Sequence, residues 1–546
     1  MIVLLPTFGV AAVIRDNERV SSFSDSRSRF DSISAMFAEL ADQYFDEYCR
    51  LDPVHATLCG RTGFDAALPD YGPEGWAARA ELLTGTLTRL DRLDATGVPG
   101  AVLRERLAAE LAYLDSGLAH SLNIVVSPPM LIRTCLEQTV DPDDRRARLL
   151  AVRRALGGYL RTLRETGPVS RRQAEMVLGA TRFWATGGYF DADGSAGRAA
   201  AAGYAEFADG LERDVLPGAR EEDGVGPRRY AAAARHALGA DLDLDEEVDR
   251  LTDRLAELGE QTRAVAARIA PGLSVRAVAE LLDADPRWRV EGVPALRAWA
   301  QKQLEASFDL VHAAVLDVPE PLRRIEAVVP ELRETGPVRY LPPAVAAGRP
   351  GRVHWPVPEG QDSTPVWNQL TMIHHEGVPG HHLQVGAALL DERLPLWQRH
   401  TTVYGHAEGW AVYAEGLMAG LGALAEPPQL LGYLMGLRAN AAVALADIGL
   451  HCREWTDERV LGLLREHTTI PDSMLPFTVL RTAAWPGQAL TYACGERVWQ
   501  AARRDAQRAW GKEFDPCRFH ARMLGIGPCG LSVLAGQAGL RATTTA

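Results

Sequence analysis

Four histidines and one glutamate crowd into the stretch IHHEGVPGHHLQ at residues 373–384. Imidazole nitrogens and carboxylates are the groups that hold a catalytic zinc ion, three from the protein with a fourth position left for water. A glutamate beside a ligand can serve as general base. The chemistry these side chains could share is hydrolysis by metal-activated water. In the usual helical arrangement, His-Glu-x-x-His, four positions turn about 400°, so both rings face one way. Here His381 follows His375 by six positions, about 600° on a straight helix, which points the rings apart. His382, seven on, faces the right way but lies roughly 10 Å further along the axis. Zinc–nitrogen bonds of about 2.0–2.1 Å cannot span that distance.

The residues between suggest the remedy. Pro379 has no N–H to return to the His375 carbonyl, and Gly377 and Gly380 tolerate backbone angles that other residues resist. The expectation is a local bulge that loops out two residues, so that His375 and His381 regain the four-position geometry. A third ligand is expected from GHAEGWAVYAEG at 405–416. This reads as a long helix in which Glu408 and Glu415 share a face. Glu408 stands 27 positions beyond His381, room enough for the chain to turn back. His406 competes with it for the role.

The elements that must position these residues read mostly as amphipathic helix. The segment ahead of the histidines should be a helix capped by Thr364, with Pro365 at its first position and Val366, Leu370 and Ile373 as its apolar stripe. From Ser32, apolar residues fall at Ile33, Met36, Phe37, Leu40, Tyr44 and Tyr48, a helical stripe that should end before Pro53. A second stripe runs from a cap at Asp245 through Leu251, Leu255 and Leu258 to Ile269, ended by Pro271 and Gly272. Similar patterns cover 101–120, 143–165, 291–316 and 428–465, while 216–228 is a polar loop. Residues 317–364 are rich in Pro and Gly, and RVHWPV at 352–357 is the best strand candidate. Its edge could pair with a substrate peptide.

The chain has 546 residues and a net charge of −13, which argues against nucleic acid or an anionic membrane as partner. Seven scattered cysteines, none in a C-x-x-C pair, fit a reduced cytoplasmic protein. Residues 2–14 are apolar but too short to span a bilayer and lack a basic start. Residues 1–30 stand as an unassigned leader. The expected division is a helical lobe at 31–340 and a catalytic zinc-binding lobe at 341–546.

Several segments resemble those of the bacterial domain-of-unknown-function 885 family, grouped among gluzincin-like metallopeptidases. These are HEGVPGHHLQ at 375–384, EGWAVYAE at 408–415, DIGLHCREWT at 447–456 and WPGQALTY at 485–492, with LDPVHATLCG at 51–60 and KEFDPCRFHARMLGIGP at 512–528. The resemblance covers roughly residues 31–540. It implies a mostly helical, two-lobed zincin-like fold with a deep cleft and a small β element near the site. It implies Zn2+ held by His375, His381 and Glu408, with Glu376 as general base. One departure is Arg481-Thr482-Ala483, where Arg-Tyr is expected. Tyr492 and His451, each in a family-like segment, are candidates to stabilise the oxyanion. Packing and helix-end charge pairing are their ordinary alternatives. Arg438, Arg481 and His382 are candidate substrate contacts, the arginines through a substrate carboxylate.

The function expected is hydrolysis of peptide bonds in short peptides, carboxypeptidase- or oligopeptidase-like. The alternatives are a zinc amidase acting on a small biosynthetic amide, or a metal-free binding protein on the same scaffold. No G-x-S-x-G elbow or P-loop is present, and Cys494 and Cys529 read as buried structural thiols. Oligomeric state is open.

Overall fold

The structure is a computed structural model of the chain, and it describes residues 17–93, 95, 97–312, 314–330, 336–343 and 348–539. The fold is mostly helical with few strands. The first 16 residues of the expected leader lie outside the described residues. From Asn17 the chain is already helical, and that helix runs to Leu51. Leu40 and Tyr44 of the predicted stripe are buried. Asp52 then caps the short Pro53–Leu58 helix by accepting the His55 N–H, which explains why the first helix stops where expected.

The stripe placed after Asp245 forms the helix Leu244–Ile269, with its predicted apolar face inward. Its cap is Asp243 rather than Asp245: the Asp243 carboxylate accepts the N–H groups of Asp245 and Glu246. The pattern at 428–465 is two helices, Pro427–Cys452 and Asp457–His467. Glu454 between them takes φ 53. Trp455 folds back onto Gly449, where an added Cβ would meet its ring at 2.3 Å. This break comes from tertiary packing, so no Pro or Gly at 453–456 announces it.

The Pro- and Gly-rich region contributes more strand than expected. Strands β1 (Arg289–Glu291), β2 (Ile325–Val328), β3 (Arg339–Leu341), β4 (Gly351–His354) and β5 (Ser363–Pro365) form two small sheets. β1 pairs antiparallel with β5, and the other sheet has the order β2-β4-β3. β4 is therefore central, parallel to β2 and antiparallel to β3. The edge-pairing role given to RVHWPV fails for that reason: the Val353 stretch is flanked by strands on both sides. The helix expected from Thr364 is also corrected. Thr364 and Pro365 lie in β5 opposite Val290 and Arg289, and helical structure begins only at Leu370.

The largest apolar cluster gathers residues from Leu40 to Ala538, on both sides of position 340. Within it the helix Tyr404–Gly420 packs on Leu490–Trp510, where Gly409 and Gly495 allow backbone approach. A Cβ on Gly409 would stand 2.5 Å from Gly495 Cα. All seven cysteines are free. Among the described residues no helix is long and apolar enough to cross a membrane.

Candidate metal centre

The helix that delivers the histidines changes pitch as it ends. One turn, Leu370–Met372, widens into a π-helical turn, Ile373–Gly377. The Val378 N–H donates to the Ile373 carbonyl and the Gly380 N–H to the His374 carbonyl. Val378 is extended, the Val378–Pro379 peptide is cis, and a new helix starts at His381. The chain therefore does not loop out a bulge within one helix, as expected from the spacing. It ends one helix and starts another. Gly380 is required by contact: a Cβ there would lie 1.8 Å from the His375 carbonyl oxygen. Trp410 fixes the corner from outside, its indole N–H donating to the Pro379 carbonyl at 2.9 Å.

This corner brings the rings of His375 and His381 together, with centroids 4.9 Å apart and planes at 86°. Glu408 closes the triangle from the Tyr404–Gly420 helix. Its Oε2 lies 3.2 Å from His375 Nε2 and 3.5 Å from His381 Nε2. One ligand atom from each of the three falls within 4.8 Å of the others. Two turns along the same helix face, Glu415 accepts from His375 Nδ1 at 2.8 Å. That leaves Nε2 of His375 turned to the shared centre. Sequence reasoning noted that Glu415 shares a face with Glu408 but gave it no part.

Burial opposes charge here, and pairing outweighs it at two groups. Burial alone would push the His375 imidazolium down, yet its bonds to Glu408 and Glu415 hold its pKa well above the usual value. Burial likewise acts to raise Glu408, but the bonds from His375 and His381 hold it far below the carboxylate range. At Glu415 burial wins and the pKa is raised. Glu376 is 9% exposed. Burial raises its pKa against the pull of His375 and His381, and it accepts a hydrogen bond from the Tyr340 backbone on β3.

Tyr492 stands beside the triangle, its ring 6.3 Å from that of His375. Its hydroxyl accepts from Arg481 and Gln488, both at 3.3 Å, and Arg481 also donates to Gln488 Oε1 at 3.0 Å. Gln488 was not singled out from sequence, although its four-position offset from Tyr492 inside WPGQALTY could have flagged it.

Other candidates lie elsewhere. His451 is buried with Nε2 at 3.0 Å from the Thr482 carbonyl, and its ring stacks on Tyr230. Burial lowers its pKa to about 4. Its contacts, to the Thr482 carbonyl, Tyr230 and Asp447, are those of a packed core residue. His382 is fully buried, with Nε2 2.8 Å from the Leu322 carbonyl and Nδ1 3.2 Å from the Tyr340 hydroxyl, so it has no surface for a substrate. Arg438 is half-buried, packs by Gly259 and donates to His467 Nδ1 at 3.0 Å. His406 is buried against Trp499 with its Nδ1 at 3.4 Å from Gln384 Nε2, which leaves Glu408 as the residue that meets the histidines. His374 turns away to the Val378 carbonyl and Ser307.

The donor set passes the test of chemistry. Two imidazole nitrogens and one carboxylate oxygen form a ligand set used for catalytic zinc. The second nitrogen of His375 is fixed by a carboxylate, the outer support that such ligands usually have.

The chain matches the family described as "Bacterial protein of unknown function (DUF885)" over residues 53–537, and it belongs to that family. Two solved structures share its fold. A "putative lipoprotein" from Colwellia psychrerythraea superimposes with TM-score 0.82 at 20% identity, over 93% of this chain and 98% of that one. A "putative lipoprotein of unknown function" from Shewanella oneidensis gives TM-score 0.71 at 17% identity, over 92% and 99%. At these identities the likeness concerns the fold alone. No curated protein matches.

Proposed function

We propose that this DUF885 member is a zinc-dependent hydrolase of gluzincin type that cleaves amide bonds in short peptides. The observation that carries the reading is the convergence of His375, His381 and Glu408 within 4.8 Å, with Glu376 adjoining in the chain. Zinc held by those three would lower the pKa of water to about 7 and stabilise charge on a carbonyl oxygen. Glu376 is the base: its buried carboxylate takes a proton from the attacking water and passes it to the leaving nitrogen. The Tyr492 hydroxyl accepts from Arg481 and Gln488. Its own proton is therefore left to donate to the developing oxyanion. The exposed Arg481 guanidinium is suited to a substrate carboxylate, which favours an exopeptidase.

A substrate cleft between segments 31–340 and 341–546 belongs to this reading. So does a cytoplasmic setting, supported by seven free cysteines. The lipoprotein description of the two structural neighbours favours the envelope instead, and cell fractionation decides between them. The test of function is a panel of short peptides beside N-acyl amino acids, run with wild type and Glu376→Gln. The reading expects peptide hydrolysis that Glu376→Gln lowers by about 10²–10⁴-fold while zinc is retained. Activity confined to N-acyl amino acids would make the enzyme a small-molecule amidase. Equal turnover by both proteins would remove Glu376 as the base.

A further inference from the structure

Away from the metal centre, a small cavity of about 40 Å³ lies under the 482–487 segment. Gln173 lines it. This side chain is 3% exposed, and among the described residues neither its amide oxygen nor its amide nitrogen has a partner. Buried polar atoms are nearly always bonded, so a pair left open on one side chain points to an occupant. Two further walls are Arg220 and Arg229. Arg220 donates to the carbonyls of Pro168 and Gly224, and Arg229 to that of Ser116. Among the described residues neither has a carboxylate within ion-pair distance. Burial, together with the charges of Arg220 and Arg228, lowers the Arg229 pKa, as expected for positive charge lacking a counterion.

The acid among the described wall residues is already committed. Asp223 accepts from Ser170 Oγ at 2.5 Å and pairs with Arg172 at 3.0 Å. Arg172 is shared with Asp457. Arg220 and Arg229 are thus left without a carboxylate partner among the described residues, and Arg228 adds its charge beside Arg229. The cavity also adjoins the first turn of the Arg171–Thr186 helix, capped by Ser170. That end of a helix favours negative charge.

We propose that this cavity binds one small monovalent anion of chloride class, held by Gln173 Nε2 and the guanidinium groups of Arg220 and Arg229. Arg220 and Arg229, which no carboxylate pairs among the described residues, select an anion over water, and the volume of about 40 Å³ admits only a small one. The opposite wall includes Ala483, Ala484 and Pro486. They lie between Arg481 and Tyr492, in a segment that Asn123 also grips by donating to the Ala484 carbonyl at 2.5 Å. The bound anion therefore braces the segment that carries Arg481 and Tyr492. The site does not depend on the hydrolase reading, because binding is measured without turnover.

The test is thermal denaturation of the full chain in sodium chloride and in sodium gluconate at equal ionic strength, with diffraction from crystals grown in bromide. The site predicts a Tm that rises with chloride and saturates, and an anomalous bromide peak beside Gln173. Arg229→Gln should raise the half-saturating chloride concentration by about tenfold or more. Gln173→Glu supplies the negative charge internally and should make Tm independent of chloride. That variant also serves if Arg229→Gln folds poorly. Superimposable melts of the wild type in the two salts, with water alone in the cavity, would overturn the proposal. A Gln173→Glu protein that still responds to chloride would overturn it as well.

Discussion

Glu415 touches no proposed substrate position, yet its replacement should weaken metal binding. Its Oε1 lies 2.8 Å from His375 Nδ1, and both side chains are buried. The bond sets which ring nitrogen carries the proton and aims Nε2 at the centre shared with His381 and Glu408. Glu415→Gln keeps the shape but removes the charge that makes His375 a better donor. Support of this kind is worth about 10–100-fold in metal affinity, or about 1.4–2.8 kcal/mol. Glu415→Ala should cost at least as much, because it also leaves His375 Nδ1 without a partner in a dry site. The assay is competition for zinc against a chromophoric chelator, with circular dichroism to verify that each variant is folded. A folded Glu415→Gln protein with wild-type zinc affinity would refute the assigned role.

Two further outcomes follow from the packing around the site. Gly495→Ala places a Cβ 2.5 Å from the Gly405 carbonyl oxygen and 2.6 Å from Gly409 Cα. The helix carrying Glu408 and Glu415 must then move. A loss of about 1–3 kcal/mol in urea denaturation, with weaker zinc binding, is expected, and unchanged values in both would contradict the close-packed interface. Asp447 accepts from Tyr230 at 2.8 Å and from the Gly487 N–H at 2.9 Å, but burial raises its pKa from 3.8 to about 8. A folded pKa above the unfolded one means its stabilising contribution is full below about 3.8 and is lost as pH rises through about 8. Asp447→Asn should therefore match wild type near pH 4 and gain on it progressively up to about pH 8 in urea melts. A wild-type advantage that persists at pH 9 would show that burial does not raise the pKa of this carboxylate.

The chemistry of the centre was legible because ligand types are few and their spacing is informative. His375, His381 and Glu408 meet as the sequence suggested. The route was not legible: a bulge and a helix break both satisfy the same spacing, and the choice rests on contacts from Trp410 to Pro379 and on the tight Gly380 approach. Amphipathic stripes located the helices, but caps shifted where two acids stood close, as at Asp243 and Asp245. Thr364 and Pro365 carry a helix-start signature, yet pairing with β1 overrides it. His451 and His382 lie in recognisable segments yet are buried in hydrogen bonds of the core, because a residue inside such a segment can equally serve packing, and only burial tells the two apart. Glu415 shows the converse, since a supporting carboxylate has no spacing rule apart from the ligand it supports.

The central claim is that His375, His381 and Glu408 hold one metal ion. Metal content of protein purified without a histidine tag, wild type beside His381→Ala and Glu408→Gln, tests it most directly. The account predicts one zinc per wild-type chain and a large loss of zinc in both folded variants. Zinc retained in full by either variant, or none in the wild type after zinc is supplied, would contradict it.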